Sequence, residues 1–296
     1  MMYKWKPNMW LGLEYFILQP VFKKRTIMNL KKKIYIVLMI VFAIGFFVCM
    51  GLFIHNKIVE KKAEEKYEEL LDMQLEQSIE ESELSVQEEI EEEDILTTLG
   101  IEIPEKTLDF EKLQEENEHI YAWIYIPGTK VDYPILQHPT EESYYLDRNL
   151  DGSRGYPGCI YTDYLNEKDF SDNNTVIYGH NMKDGTMFGE LHKFEDKAFF
   201  EENKYAYIYT PEKIYVYEIF AAYEFSDLHL LYGYDMDNPE IFEIYLDSVF
   251  NTRGMNAHIR STSTVTKEDK IITLSTCIGN KPKNRYLIQG VLLNKE

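Results

Sequence analysis

Cysteine is scarce in this sequence, and the positions of the few cysteines exclude two common uses of the residue. The chain has three cysteines in 296 residues, and they lie at positions 49, 159 and 277. An odd number at unrelated spacings is not a disulfide framework, and no Cys-x-x-Cys pair indicates a zinc site. The histidines also show no convincing metal-ligand spacing, so we expect no metal and no cofactor. A free thiol is the interpretation that remains.

Basic residues are also few. Lys and Arg total 31 against 51 Asp and Glu, and the formal net charge is −20. Binding to nucleic acid requires clustered positive charge that neutralises phosphates, so we expect no nucleic-acid partner. Hydrophobic residues make up 45% of the chain, which suits one sizeable core with accessory segments better than two full enzyme domains.

A single long apolar run predicts a membrane anchor. Residues 34–54 carry no charge, and a helix of this length spans about 31 Å, close to the hydrocarbon thickness of a bilayer. A cleaved signal peptide is the alternative, but its apolar region would be shorter and a small-residue cleavage site would follow. Lys and Arg cluster between residues 23 and 33, and the chain after the run is acidic. Residues 1–33 are therefore predicted to be cytoplasmic, and the chain after residue 55 extracellular.

The regions around this anchor differ in character. Met28 begins the run NLKKK before the anchor, so we expect translation to begin there and residues 1–27 to be an over-extended gene start or a leader. Residues 55–99 are rich in glutamate and have too little apolar surface to fold alone, which indicates an acidic spacer with helical character. Residues 100–296 are the predicted catalytic domain, and a fragment beginning near residue 100 is expected to fold by itself.

Short β-branched and aromatic runs, separated by turn residues, fill this domain. They read YAWIYI, VDYPIL, GCIYTDY, NTVIYG, YAYIYT, KIYVYEIFAAY, KIITLSTC and RYLIQGVLL. This many short strands predict a β-barrel or a β-sandwich. Helices are predicted at residues 107–119, at MFGELHKF and at PEIFEIYLDSVF, where Asn238 and Pro239 suit a helix start. In the last helix Ile241, Ile244, Tyr245 and Val249 fall near helical spacing. The candidate docking residues of the helix at 107–119 are Leu108, Phe110, Leu113 and Ile120.

Three side chains at predicted strand ends carry the candidate chemistry. KIITLSTC predicts a strand ending in Cys277, with Ser275 and Cys277 on one face. His180 follows the strand NTVIYG at the mouth of a loop, where catalytic groups often lie. Arg285 begins the last strand, so a hairpin would bring it beside Cys277, where its five donors suit a developing oxyanion. Each residue alone also has an ordinary structural interpretation: a buried cysteine, a surface histidine and a solvated arginine.

Together, these features resemble the sortases. The anchor, WIYIPGTKVDYPILQ, YGHNMKDGTMFGEL, TLSTC and Arg285 in the last strand carry the resemblance, which spans roughly residues 105–293. The serine of TLSTC, the block around His180 and the predicted helix at 238–250 are most similar to class B sortases. The resemblance implies a mainly-β fold, a sortase-type closed β-barrel with peripheral α-helices, preceded here by one transmembrane helix.

The resemblance also implies an activity and the residues that perform it. Sortases are cysteine transpeptidases. By this resemblance, Cys277 would be the nucleophile of this chain, His180 its acid/base partner and Arg285 the transition-state stabiliser. The neighbouring residues Ser275, Thr276 and Asn181 are predicted to bind substrate. The expected partners are surface proteins with a C-terminal sorting motif, an amine of a peptidoglycan precursor, and the membrane through residues 34–54.

Three alternative functions can be weighed against a cell-wall sortase on the residues alone. A pilus-polymerising sortase usually carries an N-terminal lid motif and a second C-terminal apolar segment, and no such segment precedes Glu296. A papain-like protease places its cysteine before its histidine, and a caspase has a QACxG-like run, so neither pattern fits. A non-catalytic surface binding module would use the 23 tyrosines as an aromatic platform, although such residues are common in strands. Rapid labelling of Cys277 by an electrophile would favour an enzyme.

Overall fold

The structure is a computed structural model that describes the backbone of residues 11–81 and 95–294 and the side chains of residues 32–73 and 96–294. The first ten residues of the predicted leader lie outside the described residues, as do residues 82–94 of the predicted acidic spacer. The chain divides into two units, Met1–Ile58 and Val59–Glu296, and each is described by itself.

The first unit is helical. Helix α1 (Leu11–Glu81) begins in it, and the large apolar side chains between Ile34 and Ile54 are exposed. Among the described residues, one helix is long and apolar enough to cross a membrane, by its length and composition. Its candidate stretch is Lys32–Met73, with a mean hydropathy of 2.9 in its most apolar window. The span predicted at residues 34–54 falls inside this stretch.

The second unit is a closed β-barrel, which confirms the predicted fold class. Each predicted β-rich run contains a strand. The strands are β1 (Ile120–Tyr125), β2 (Asp132–Leu136), β3 (Ile160–Thr162), β4 (Asn174–Tyr178), β5 (Tyr205–Tyr209), β6 (Ile214–Ser226), β7 (His258–Ile259), β8 (Ile271–Ile278) and β9 (Lys281–Leu292). The hydrogen-bonded order β5-β1-β2-β3-β4-β8-β9-β6 is closed by pairing between β5 and β6, and β7 pairs with β6 on the edge away from β9.

Short helices surround the barrel, as predicted. They are α2 (Ile95–Thr98), α3 (Phe110–Glu116), α4 (Lys197–Glu202), α5 (Leu230–Gly233) and α6 (Pro239–Phe250), with 3₁₀ helices at Tyr144–Leu146 and Gly189–Glu195. The N-terminus of α6 is capped as expected, because the Asn238 side chain accepts from the backbone N–H of Glu240 and Ile241. This cap satisfies amides that have no partner within the helix.

The two faces of β8 belong to different parts of the core. Ile272 and Leu274 join one hydrophobic cluster, whereas the opposite face packs towards α6. The buried residues of α6 are Phe242, Tyr245, Leu246 and Val249. Their spacing of three and four residues forms one helical stripe. Ile244, which also falls near helical spacing in the sequence, lies outside this stripe, and its side chain is 62% exposed.

Part of α1 belongs to the second unit. Tyr67 is buried there, and its hydroxyl donates to the Gly158 carbonyl at 3.1 Å. Leu70 is fully buried in the cluster that also contains Trp123. The predicted spacer at 55–99 therefore includes residues that pack in the hydrophobic core, and the boundary at residue 100 stays a prediction.

A fragment beginning at residue 59 should be more stable than one beginning at residue 100. The shorter fragment lacks Tyr67 and Leu70, and burying such a side chain contributes about 1.5–3 kcal/mol. One kcal/mol moves Tm by about 2–4 °C in a domain of this size. We expect the Tm of the shorter fragment, measured by circular dichroism, to be lower by on the order of 10 °C.

A matched pair of substitutions controls this comparison. In the longer fragment, Leu70→Ala should lower Tm, whereas Leu99→Ala, at a side chain that is 55% exposed, should leave it unchanged. Equal Tm values for the two fragments would favour a catalytic domain that begins at residue 100.

Candidate active site

Three adjacent strands bring the predicted catalytic residues to one rim of the barrel. β4 and β8 are parallel, with Tyr178 opposite Ser275, and β8 and β9 are antiparallel, with Cys277 opposite Arg285. Side chains of opposed residues point to the same face of a sheet, and so do residues two apart on one strand. His180 lies two residues after Tyr178, as Cys277 lies two residues after Ser275. The register places Cys277 beside Arg285, and His180 follows the end of β4, the strand on the other side of β8.

The three cysteines differ in their surroundings. Cys277 is exposed at the end of β8, beside the turn at residues 279–280. Cys159 is buried, its thiol donates to the Arg148 carbonyl at 3.3 Å, and burial raises its pKa to about 12. A thiol acts as a nucleophile through its thiolate, so Cys159 is unsuited to that role. Cys49 lies in the apolar stretch of α1.

A polar clamp holds the main chain of the nucleophile. The Cys277 carbonyl oxygen lies 2.9 Å from Asn181 Nδ2 and 3.0 Å from His192 Nε2. Glu195 Oε1 accepts from His192 Nδ1 at 2.5 Å, and the imidazole stacks on Tyr286. These contacts fix the end of β8, where Cys277 sits. His192 and Glu195 were not among the predicted site residues, because no local pattern in their helix indicates a contact with a distant strand.

His180 is held by the chain before β3. Its Nε2 lies 2.6 Å from the Leu146 carbonyl oxygen. A carbonyl oxygen can only accept, so Nε2 carries a proton, and Nδ1 is the nitrogen left for proton exchange at the active site. The Tyr156 ring covers the imidazole, with centroids 4.8 Å apart. Burial lowers the pKa of His180 below its ordinary value of 6.5, and the bond to Leu146 offsets part of that effect.

Arg285 is anchored through one nitrogen. Its Nη1 donates to the carbonyls of Pro282 and Asn284, at 3.1 and 3.0 Å. In the described part of the chain its hydrogen bonds run through Nη1, which leaves the Nη2 and Nε donors for an oxygen of the substrate. A guanidinium fork held this way presents two donors in fixed geometry.

The residues predicted to bind substrate differ in exposure. Asn181 is half-buried, and its side-chain amide donates to the Cys277 carbonyl in the polar clamp. Ser275 is 7% exposed and lies on the same face as Cys277. Thr276 points to the opposite face, is 1% exposed, and donates to the Gly179 carbonyl at 2.9 Å. Its burial favours a structural role, fastening β8 to the end of β4, over the predicted substrate contact.

Comparison with known proteins decides the family. A sortase-domain model matches residues 124–293. The chain belongs to the sortase family. Sortase B from Listeria monocytogenes is 37% identical to this sortase over 203 residues, which cover 67% of this chain and 78% of the relative. Sortase B from Staphylococcus aureus is 32% identical over 170 residues, 57% of this chain and 67% of the relative.

Solved structures agree with this assignment. The crystal structure of sortase B from Bacillus anthracis in complex with AAEK1 is 32% identical, with a TM-score of 0.56, and the match covers 63% of this sortase and 84% of that chain. The resemblance to class B sortases is therefore confirmed. The protein is a cysteine transpeptidase, and sortases act on surface proteins of the cell envelope. The cysteine-protease and binding-module alternatives are set aside.

Proposed function

We propose that this sortase cleaves a C-terminal sorting signal of surface proteins and joins the acyl group to an amine of a peptidoglycan precursor. The observation that carries the proposal is the alignment of Cys277 with Arg285 across β8 and β9, with His180 emerging from the parallel neighbour β4. Nucleophile, proton donor and oxyanion ligand are the three groups that acyl transfer through a thioester requires.

The reaction proceeds in two acyl transfers. The Cys277 thiolate attacks the carbonyl carbon of the scissile peptide bond, and Arg285 donates to the oxygen on which negative charge develops. His180 Nδ1–H protonates the departing amine, so the C–N bond breaks and a thioester remains on Cys277. The neutral imidazole then accepts a proton from the incoming amine, which displaces the thiolate and forms the new amide.

Trapping of the acyl-enzyme tests this proposal. We would incubate the full chain in detergent with sorting-signal peptides and no amine, and measure intact mass and peptide maps. An acyl adduct on Cys277 that hydroxylamine releases is the expected result, and Cys49→Ala should give the same adduct. No adduct with any peptide would contradict the proposal. Transfer onto a protein lysine, in place of a peptidoglycan amine, would instead support a pilus-polymerising sortase.

We propose a single-pass protein of the cell membrane with its catalytic unit outside. The basic cluster between residues 23 and 33 and the acidic chain after residue 55 support this orientation, since positive charge is retained in the cytoplasm. Protease added to intact, wall-stripped cells should digest the chain after residue 55. Full protection of that region, with digestion after lysis, would contradict the orientation.

The transfer rate should follow a bell-shaped pH profile. The competent form has a thiolate at Cys277 and an imidazolium at His180, so the pair holds one proton. Both limbs of the pH profile therefore report the pair and neither residue alone. Burial lowers the pKa of His180, so the limb on the acid side should lie below pH 6.5. Measuring kcat/KM from pH 5 to 10 checks this, and an acid limb above 6.5 would contradict it.

The cover of His180 supplies a matched pair of variants for this profile. Tyr156→Ala should expose the imidazole to water, weaken the desolvation that lowers its pKa, and move the acid limb to higher pH. Tyr156→Phe keeps the ring against His180 and should leave the profile unchanged. An acid limb that stays in place in Tyr156→Ala would mean that the ring does not set the titration.

A further inference from the structure

A second cluster of polar side chains lies beside the catalytic rim, formed by three segments that are distant in sequence. Glu142 lies in the loop after β2, Asp163 directly after β3, and His229 three residues after β6. His229 Nε2 is 3.5 Å from Glu142 Oε1 and 3.6 Å from Asp163 Oδ2, and the three atoms lie within 4.8 Å of one another. These separations are too long for hydrogen bonds.

One carboxylate oxygen of this cluster, Asp163 Oδ2, lacks a hydrogen-bond donor among the described residues. Asp163 is 1% exposed, and its Oδ1 accepts from the Leu165 N–H at 3.2 Å. Its Oδ2, which points into the cluster, is buried and has no hydrogen-bond partner among the described residues. A buried carboxylate oxygen without a donor is costly, because it loses water and gains nothing in return. A cation at the centre of the cluster would satisfy it.

The two distances from His229 suit ligands of one metal ion. Zinc holds nitrogen and oxygen ligands at about 2.0–2.2 Å, so two ligands at a tetrahedral angle lie about 3.3–3.6 Å apart. The Glu142 side chain is exposed and its Oε2 accepts from the Tyr232 hydroxyl at 3.2 Å, which leaves Oε1 on the side of the cluster. Three protein ligands leave a fourth position for water.

The ligand set and the charge identify the class of ion. We propose that Glu142, Asp163 and His229 bind one divalent cation of the zinc class. An imidazole ligand suits zinc and its transition-metal neighbours, whereas calcium and magnesium prefer oxygen ligands alone. The competing arrangement is a protonated His229 between two carboxylates, which leaves one negative charge uncompensated. A divalent cation with a neutral imidazole balances both carboxylates.

The position of the cluster connects it to the active site. The His229 ring packs against Tyr178, with centroids 5.9 Å apart, and Nε2 lies 3.4 Å from the Tyr178 hydroxyl. Tyr178 is opposite Ser275 in the sheet and precedes His180 by two residues. A cation here would join the loops after β2, β3 and β6, and its ligand His229 packs against Tyr178 at the end of the strand that precedes the catalytic histidine. No metal was expected from the sequence, because the ligands come from three separate segments.

Titration of the full chain with metal alone tests the site. The protein would be kept in detergent, stripped with EDTA, and treated with iodoacetamide so that Cys277 and Cys49 cannot bind metal. We expect one Co²⁺ per chain with visible absorption of a four-coordinate ion, displaced by Zn²⁺. At free zinc about 100-fold above Kd, Tm should rise by roughly 5–10 °C.

Substitutions decide whether the metal sits in this cluster. Asp163→Asn keeps the acceptor for Leu165, and Glu142→Gln changes an exposed residue that no core contact depends on. Each should weaken binding by more than about tenfold, since even groups behind metal ligands are worth about 10–100-fold. Glu141→Gln, at the adjacent exposed glutamate, is the matched control and should bind like the parent.

Several results would overturn the proposal. Equal affinity in the parent and the cluster variants would place the metal elsewhere, and binding of Ca²⁺ without Co²⁺ or Zn²⁺ would mean a site of oxygen ligands. No binding at all would mean that a protonated His229 pairs with the two carboxylates. If Asp163→Asn fails to fold, the comparison of Glu142→Gln with Glu141→Gln decides the question.

Discussion

The variants Cys277→Ala and His180→Ala should each lose peptide transfer by on the order of 10⁴-fold or more, and the double variant should be no worse than either. Residues that act as a unit in one step are non-additive, because losing one member leaves the other without a function. Cys277→Ala has no atom to carry the acyl group, and His180→Ala cannot protonate the departing amine. Steady-state transfer with a sorting peptide and an amine, together with single-turnover acylation, measures both effects.

Two residues outside the barrel supply matched controls for this cycle. Cys49→Ala and His55→Ala replace the same residue types at exposed positions of α1, and both should keep the parental rate. Losses that add in the double variant would mean that Cys277 and His180 act in separate steps. Peptide cleavage that survives in Cys277→Ala would remove the thioester from the mechanism.

Arg285→Lys should lower kcat by about 10²–10³-fold, which corresponds to about 2.7–4 kcal/mol in the barrier. The substitution keeps the positive charge but removes the planar fork. In the structure Nη1 donates to the carbonyls of Pro282 and Asn284, and the other nitrogens stay available for the oxyanion. The single ammonium of lysine cannot make both sets of contacts at once. KM should change much less, since the contact strengthens only as charge develops.

Arg253 offers a close control for this substitution. Its Nη1 also donates to two main-chain carbonyls, those of Phe250 and Thr252, but it lies after α6. Arg253→Lys should leave kcat unchanged, because it removes the same kind of anchoring without touching the active site. Equal, small effects in both variants would make Arg285 a structural residue.

Local pattern was enough to predict most elements of the barrel. The eight β-rich runs each contain a strand, and the cap at Asn238 and the start of α6 follow from side-chain chemistry within a few residues. The two-residue strand β7 has no run to reveal it. The residues alone left a barrel or a sandwich open, because closure depends on the pairing of β5 with β6, and the resemblance to sortases decided between them.

The active site, too, could be predicted from the sequence only in part. Cys277 and Arg285 flank one hairpin, so their proximity could be predicted from strand periodicity and a short turn. The parallel pairing of β4 with β8, which brings the end of β4 and the following His180 to the same rim, joins segments far apart in sequence. The contacts of His192 with Cys277 and of His229 with Asp163 are also long-range, and no periodicity within one segment encodes them.

Strand β8, which carries Cys277, is paired with a neighbouring strand on both sides, and this pairing limits how a peptide substrate can bind next to it. Many peptide-binding proteins accept their ligand as an extra strand at an open sheet edge, where main-chain hydrogen bonds provide affinity and alternate side chains provide selectivity. β8 is hydrogen-bonded to β4 up to Ser275 and to β9 up to Ile278, so neither edge of the strand is open over residues 271–275. A sorting peptide therefore has no open edge of β8 to extend before Ser275, and it has to reach the thiol at the end of the strand from outside the sheet.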